Sequence, residues 1–395
     1  MNKVRVGVIG AGFIGKVHIE QLRRLGYVDV VAVSEKDQAT AEAVAAELRI
    51  PKAYGKSEDL VKDKELDAVH VATLNHLHYP LAKKALEAGK HVLCEKPLAM
   101  NSSEAQDLLQ TAKKTGRAHA ICHNMRYYPL VKQARSMVKA GEVGDIRLIH
   151  GQYLQDWLFL PTDYNWRLIA AVGGKSRAVA DIGTHWLDAV QHISGQRVTA
   201  VYADLTTFIP VRKKPKVEMA TYVVKELKAE DYEDVAIDTE DHGTIMLKFS
   251  GGAKGVLIAC QVCAGRKNYI HFEINGTKRS LEWNGQEPNS MWVGERGRPN
   301  GELIKDPVLF YPEAAPYGYA PCGLGEGYLD TFRSVFSDFH SWILSGKPMD
   351  LAKAPFPTFL TGLAELAIVD AVLESAKSDK WVDVKYPAEA GPSYL

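Results

Sequence analysis

Five groups of residues in this chain have types and spacings suited to chemistry. The first is Gly10-Ala11-Gly12-Phe13-Ile14-Gly15, a GxGxxG that follows the apolar run at 4–9 and opens a helical run at 15–25. In that setting Gly10 permits a tight turn, Gly12 lets the backbone approach a pyrophosphate, and Gly15 lets helix pack on strand. The helix N-terminus then presents N–H groups and a positive dipole end to the phosphates. The second is Glu35, which follows the run at 28–34. A carboxylate there accepts hydrogen bonds from the adenosine ribose and repels a 2′-phosphate, so NAD is favoured over NADP, with Lys36 as a nearby opposing charge. The third, Ala72-Thr73-Leu74-Asn75-His76-Leu77-His78, ends the fourth strand, where open α/β sheets place their ligands. His78 serves there equally as a neighbour of the cofactor, a helix cap or a solvated side chain.

The fourth group is Cys94-Glu95-Lys96-Pro97 at the end of the fifth strand. Pro97 fixes its own φ and biases Lys96 toward extended backbone, holding a lysine at the ligand-facing edge. Acid–base work and a salt bridge to Glu95 are both open readings of Lys96. The fifth is Asp181-Ile182-Gly183-Thr184-His185-Trp186-Leu187-Asp188. Asp181 and His185 are four apart, so a helix stacks them on one face, where a carboxylate orients an imidazole for general-base work. A structural Asp/His pair has the same spacing.

The elements that position these groups fall into two sets. Short apolar runs at 4–9, 28–33, 68–72, 91–94 and 118–122 alternate with amphipathic segments at 40–48, 81–88 and 103–115, which predicts a parallel sheet wound on both faces. After a helix at 129–140 the pattern changes to strands at 146–153, 198–207, 243–249, 255–262, 269–274 and 280–283, mostly joined by short loops, which predicts antiparallel pairing. Helices at 329–344 and 359–376 close the chain. The fold class is therefore α/β: a Rossmann dinucleotide-binding domain at 1–124, then an α+β domain at 125–395 with a largely antiparallel open sheet, for substrate binding and oligomerisation. Residues 285–327, rich in Gly and Pro, read as a lid or an arm between subunits.

Composition narrows the function. With 395 residues, two cores are expected. Lys plus Arg equals Asp plus Glu at 48 each, which leaves no global basic field for nucleic acid. The most apolar stretch, 360–373, carries Glu365 and Asp370 and does not span a membrane. The chain starts directly on a strand, and its five cysteines are an odd number, which predicts a cytoplasmic protein with reduced thiols. Cys260 and Cys263 form a lone CxxC without partners, so no metal site is expected.

Together the motifs resemble the glucose–fructose oxidoreductase, inositol dehydrogenase and MocA (Gfo/Idh/MocA) family of nicotinamide-dependent sugar and polyol oxidoreductases. GAGFIG, ATLNHLH, CEKP, the stretch Asn124-Met125-Arg126-Tyr127-Tyr128-Pro129 and DIGTHWLD occur in that family's order and spacing over nearly the whole chain. Residues 151–157, Trp166-Arg167 and the tail at 381–384 look most like its levoglucosan dehydrogenase branch. Leu74 stands where many members carry proline, and Lys175 where a third glycine is frequent.

The resemblance implies a catalytic trio. His185 would take the hydroxyl proton, Lys96 would polarise that oxygen, and Asp181 would position His185 or the substrate. It implies NAD contacts at Gly10, Gly12, Phe13, Ile14, Gly15, Glu35, Thr73, Asn75, His78, Glu95, Lys96, Asn124, Trp166 and Arg167. Substrate contacts are expected at Lys96, Arg126, Gln152, Asp156, Trp166, Asp181 and His185. The mixture of Gln152, Tyr153, Asp156, Trp157, Asn165 and Trp166 suits a neutral ring with polar edges and apolar faces. A phosphate would want convergent cations, which Arg126, Arg167, Lys175 and Arg177 could supply. The expected activity is NAD-dependent oxidation of a secondary hydroxyl on a sugar, glycoside or cyclic polyol. The alternatives are an NAD-retaining glycosidase or lyase and a non-catalytic sensor. A second-domain sheet with one uncovered face predicts a homodimer or homotetramer.

Overall fold

A computed structural model describes residues 3–216 and 227–390. The chain begins as alternating β1 (Val4–Ile9), α1 (Phe13–Arg23), β2 (Val28–Ser34), α2 (Gln38–Leu48), β3 (Lys52–Tyr54), α3 (Ser57–Lys62), β4 (Ala68–Val71), α4 (Asn75–Glu87), β5 (His91–Cys94), α5 (Ser102–Thr115) and β6 (His119–Ile121). The six strands form one parallel sheet in the order β3-β2-β1-β4-β5-β6. Every residue of β4 is buried, as a strand covered on both faces requires. Strand order reverses between β1 and β4, and ligands of such sheets bind outside the carboxyl ends at that point. Local chemistry starts and stops the helices: Asp37 caps α2 through Thr40 N at 2.7 Å, Asn101 caps α5 through Glu104 N at 2.9 Å, and Gly116 ends α5 at φ +65°.

Two elements here lie outside the sequence expectation. β3 and α3 are short, and Lys52-Ala53-Tyr54 carries no apolar run to announce a strand. α4 begins at Asn75 rather than at 81 and runs through Pro80, which reads as a break in sequence.

The second set of elements comprises α6 (Pro129–Lys139), β7 (Ile146–Leu154), α7 (Ala170–Gly173), α8 (Thr184–Ser194), β8 (Val198–Thr206), a ribbon of β9 (Val211–Pro215) with β10 (Tyr232–Ala236), β11 (His242–Phe249), β12 (Lys254–Cys260), β13 (Tyr269–Gly276), β14 (Ser280–Asn284), β15 (Ser290–Gly294) and β16 (Gly301–Ile304). α9 (Tyr328–Leu344), α10 (Phe359–Ser378) and β17 (Val382–Asp383) follow. Nine strands make one sheet in the order β16-β15-β14-β13-β7-β12-β11-β8-β17. Its pairs are antiparallel except β7 with β12, which run parallel because a long crossover through α8, β8 and β11 separates them.

α8 lies on one face of this sheet. Gly151 allows the approach, since a Cβ there would stand 2.0 Å from His271 O and 2.7 Å from Trp186 Nε1. The opposite face leaves Leu148 and Met246 exposed. Residues 285–327 are not a structureless lid: β15 and β16 extend the sheet. Buried Lys305 bonds Glu326 Oε2 at 2.7 Å and Leu324 O at 2.8 Å, fastening the rest.

The chain forms two compact units. The first is residues 1–124 with 328–366 and 387–394, and the second is 125–327 with 367–386. The first unit thus joins residues 1–124 to segments from the far end of the sequence, which the expectation had assigned to 125–395. α9 returns to the first unit because Phe332, Val335, Phe336 and Phe339 on its buried stripe pack against α1 and β1.

Candidate functional site

In the first unit, strand β1 turns into α1 through the glycines. Gly10 has φ +84°, and a Cβ there would sit 2.7 Å from Ala72 O; a Cβ on Gly15 would sit 2.0 Å from Gly10 O. Both are therefore required by packing. A Cβ on Gly12 would meet nothing within 4 Å, so this side of the turn is open. Gly12 is also the N-cap of α1 and contributes no capping side chain. Phe13, 58% exposed, and Ile14 border it. Glu35 Oε1 accepts a hydrogen bond from Ala11 N at 2.5 Å, bringing the β2 carboxylate onto the turn. An open, uncapped helix N-terminus beside a carboxylate is the donor and acceptor set that a dinucleotide's pyrophosphate and ribose need.

The ends of β4 and β5 hold Thr73, Asn75 and Lys96 at the same edge, partly accessible. Three residues expected to contact the cofactor have protein partners in this structure. His78 is 1% exposed and lies between two carbonyls, with Nδ1 2.7 Å from Pro97 O and Nε2 3.1 Å from Thr73 O. Burial pushes its pKa down, against the two carbonyls that act to raise it. One turn into α4, its side chain points back and straps the ends of β4 and β5 together. Glu95 turns inward to His18 Nε2 at 3.0 Å instead of outward to a ligand. Asn124 is likewise interior, its Nδ2 donating to Thr331 Oγ1 at 2.8 Å.

In the second unit, Asp181 lies in a π-helical turn, Val179–Gly183, that runs straight into α8, with His185 in that helix's first turn. Such turns recur at functional sites because they re-aim one side chain. Asp181 accepts from Arg167 Nε at 3.3 Å and from Gln261 Nε2 at 2.8 Å. Arg167 follows its N-cap Asn165 in a 3₁₀ turn, and its guanidinium stacks 4.3 Å over the Trp166 ring and 5.4 Å over Trp157. The His185 ring lies 6.3 Å from the Tyr153 ring, whose hydroxyl donates to Asn268 Oδ1 at 2.7 Å.

Behind Asp181 the support is buried. Arg177 Nη1 donates to Gln261 Oε1 at 3.2 Å, which forces the amide nitrogen of Gln261 toward Asp181. Arg177 is paired with Asp241, which also receives Arg212 Nη2 at 2.9 Å. Glu240 accepts from Ser176 Oγ, Arg177 N and Val179 N at 2.7 to 3.0 Å and so shapes the loop before Asp181; burial raises its pKa. Gln261, Glu240 and Asp241 carried no signal in the sequence beyond their polarity, and Arg177 only that of a cation near the motif. Gln261→Leu removes a charge-assisted hydrogen bond worth about 1.5–3 kcal/mol. The expected outcome in steady-state kinetics is a 10- to 100-fold lower kcat/KM, with a lowered melting temperature because buried Arg177 Nη1 also loses its acceptor.

Three residues expected to contact the substrate are placed as follows. Arg126 is buried in an ion pair, its Nε 2.9 Å from Asp188 Oδ2, so the last carboxylate of DIGTHWLD serves structure. Asp156 accepts from Gly265 N at 3.0 Å and Lys267 Nζ at 2.6 Å and secures that loop. Gln152 points to the opposite sheet face from Tyr153 by strand alternation. It lines an apolar cavity of about 540 Å³ with Leu154, Phe208, Ile258 and Cys260.

Residues 4–123 match the family described as an oxidoreductase family with an NAD-binding Rossmann fold, and residues 131–282 match the GFO/IDH/MocA C-terminal domain. The levoglucosan dehydrogenase of Pseudarthrobacter phenanthrenivorans is 30% identical over 401 residues, spanning 97% of this chain and 99% of that protein. The trans-1,2-dihydrobenzene-1,2-diol dehydrogenase of Xenopus tropicalis is 32% identical over 200 residues, 50% of this chain and 59% of that one. A solved levoglucosan dehydrogenase in complex with NADH and L-sorbose matches with a TM-score of 0.87 at 30% identity, covering 98% of this chain and 100% of that one.

Proposed function

Because the chain belongs to the Gfo/Idh/MocA family of NAD-binding oxidoreductases, we propose that it reversibly oxidises a secondary hydroxyl of a neutral sugar, glycoside or cyclic polyol. The observation that carries this reading is Asp181, anchored by Arg167 and Gln261 one turn before His185, in a chain whose glycine turn is open at Gly12. Gly10, Gly12, Phe13, Ile14, Gly15 and Glu35 hold the dinucleotide. When bound, NAD supplies the hydride acceptor for the carbinol carbon. His185 takes the hydroxyl proton, Lys96 donates a hydrogen bond to that oxygen and stabilises its developing charge, and Asp181 keeps the imidazole or the substrate oriented.

A neutral ring is favoured by the commitments of the nearby cations. Arg126, Arg167 and Arg177 are each paired with a carboxylate, respectively Asp188, Asp181 and Asp241, whereas a phosphate would need them convergent and available. Trp157 and Trp166 offer flat apolar surface beside Asp181. The test is NADH production across glucose, glucosides, anhydrosugars, inositols, glucose 6-phosphate and gluconate, with substrates deuterated at single ring carbons. The expected result is a primary isotope effect at one carbon of a neutral ring. Selective turnover of the phosphorylated or carboxylated compounds overturns the assignment, and free sugar released without net NADH identifies a glycosidase or lyase.

Glu35 is expected to set cofactor choice. Removing its charge in Glu35→Ser relieves repulsion of a 2′-phosphate worth on the order of 1–3 kcal/mol and should shrink the preference for NAD in kcat/KM ratios. Equal ratios for the wild type contradict this. The same reading carries a homodimer or homotetramer in which a second copy covers the sheet face that exposes Leu148 and Met246.

A further inference from the structure

Behind the glycine turn, inside the first unit, donors from three elements come together: His18 on α1, Glu95 just past β5 and Cys122 just past β6. One ligand atom from each lies within 4.8 Å of the others, and all three residues are buried. We propose that His18, Glu95 and Cys122 form a binding site for a borderline transition-metal ion, with Zn²⁺ the preferred occupant.

Imidazole nitrogen, carboxylate oxygen and thiolate sulfur are the ligand types of zinc, whereas Mg²⁺ and Ca²⁺ demand oxygen alone. Donors bound to one zinc at about 2.0–2.3 Å stand roughly 3.3–3.7 Å apart. His18 Nε2 and Glu95 Oε1 are already 3.0 Å apart, and the set closes on an ion with shifts of about an ångström. Charge balance favours loading in so dry a place. The ion displaces the Cys122 proton to solvent and forms the metal–sulfur bond, so one dication meets one carboxylate and one thiolate and the buried site becomes neutral.

The outer shell is also in place. A ligating histidine needs its other nitrogen held by a hydrogen bond, which fixes the tautomer. His18 Nδ1 lies 3.0 Å from His70 Nδ1, and His70 Nε2 lies 3.0 Å from His340 Nε2. On loading, the His18 proton that bonds Glu95 from Nε2 shifts to Nδ1, so that His18 donates to His70 and His70 to His340, and the Nε2 lone pair of His18 turns to the ion. The second Glu95 oxygen or a water completes four-coordination.

The test is titration of the chelator-stripped, full-length protein with Co²⁺, and with Zn²⁺ in competition. The expected result is one Co²⁺ per chain, a thiolate-to-cobalt absorption band in the near ultraviolet, one proton released per ion, and displacement by Zn²⁺. Cys122→Ser, which keeps a hydroxyl beside Glu95, should lose the band. His18→Gln, which retains hydrogen bonding at that position, should lose the stoichiometric binding if the serine variant does not fold. A wild-type protein that stays colourless in excess Co²⁺ overturns the proposal. So does an undiminished band in Cys122→Ser, which would place the ion on another thiol such as the exposed Cys322. These readouts do not use turnover and stand apart from the dehydrogenase reading.

Discussion

Alanine at Lys96 or at His185 is expected to lower kcat by about 100-fold or more, while NAD affinity and the melting transition stay close to wild type. Lys96 lies two residues past β5, is partly accessible and carries little of the core, so its truncation removes a donor to the reacting oxygen and not a packing contact. His185 is buried in the first turn of α8, where alanine leaves a void. His185→Gln therefore accompanies it as a variant that keeps the volume and a donor while removing the base. Transition-state loss should appear in kcat and in kcat/KM alike, since neither residue is asked to bind the ground state tightly. Single-turnover measurement of NADH formation separates the chemical step from product release. Near-normal turnover in either alanine variant takes that residue out of the mechanism.

Most of the first unit was legible in the sequence because its signals are local. A glycine turn between strand and helix, apolar runs of four to seven residues and Asp, Asn and Gly caps all act within a few positions of themselves. β3 and α3 were not legible, since three residues of mixed polarity owe their strand geometry to pairing with β2. Nor was the return of α9, a decision made by tertiary packing of its phenylalanines on α1. The site divides the same way. The spacing of Asp181 and His185 is a local signal, but Gln261, which bonds Asp181, lies 80 positions away, and Arg177 meets Asp241 across 64. Gln152 and Tyr153 are neighbours in sequence, yet the two-residue period of β7 sends them to opposite faces of the sheet. Arg126 and Asp156 stood near the motif in sequence, yet each is held by a partner in the structure, Asp188 and Lys267.

Loss of the Asp241 carboxylate should have the largest effect on stability. Asp241 is 0% exposed and accepts from Arg177, from Arg212 Nη2 at 2.9 Å and from Ile209 N at 2.8 Å; both arginine side chains are buried as well. Two guanidinium groups therefore share one carboxylate in an interior where an uncompensated cation is costly. Asp241→Ala leaves both without it, and breaking a buried pair in this way costs about 3–5 kcal/mol, a large share of the roughly 5–15 kcal/mol that holds a typical domain. Shape is a minor part of the cost, so Asp241→Asn should fall nearly as far, because its amide offers hydrogen-bond donors to groups that are themselves donors. The contrast is Asp234→Ala, which breaks the exposed pair with Lys213 and should change stability by less than about 1 kcal/mol. Urea unfolding of the three variants gives the comparison. Chains of Asp241→Ala that remain folded should also lose turnover, since Arg177 then no longer holds Gln261 in the orientation that presents its amide nitrogen to Asp181. An Asp241→Ala protein whose unfolding midpoint matches that of Asp234→Ala would show that the two arginines find other partners, and that Asp181 is positioned without them.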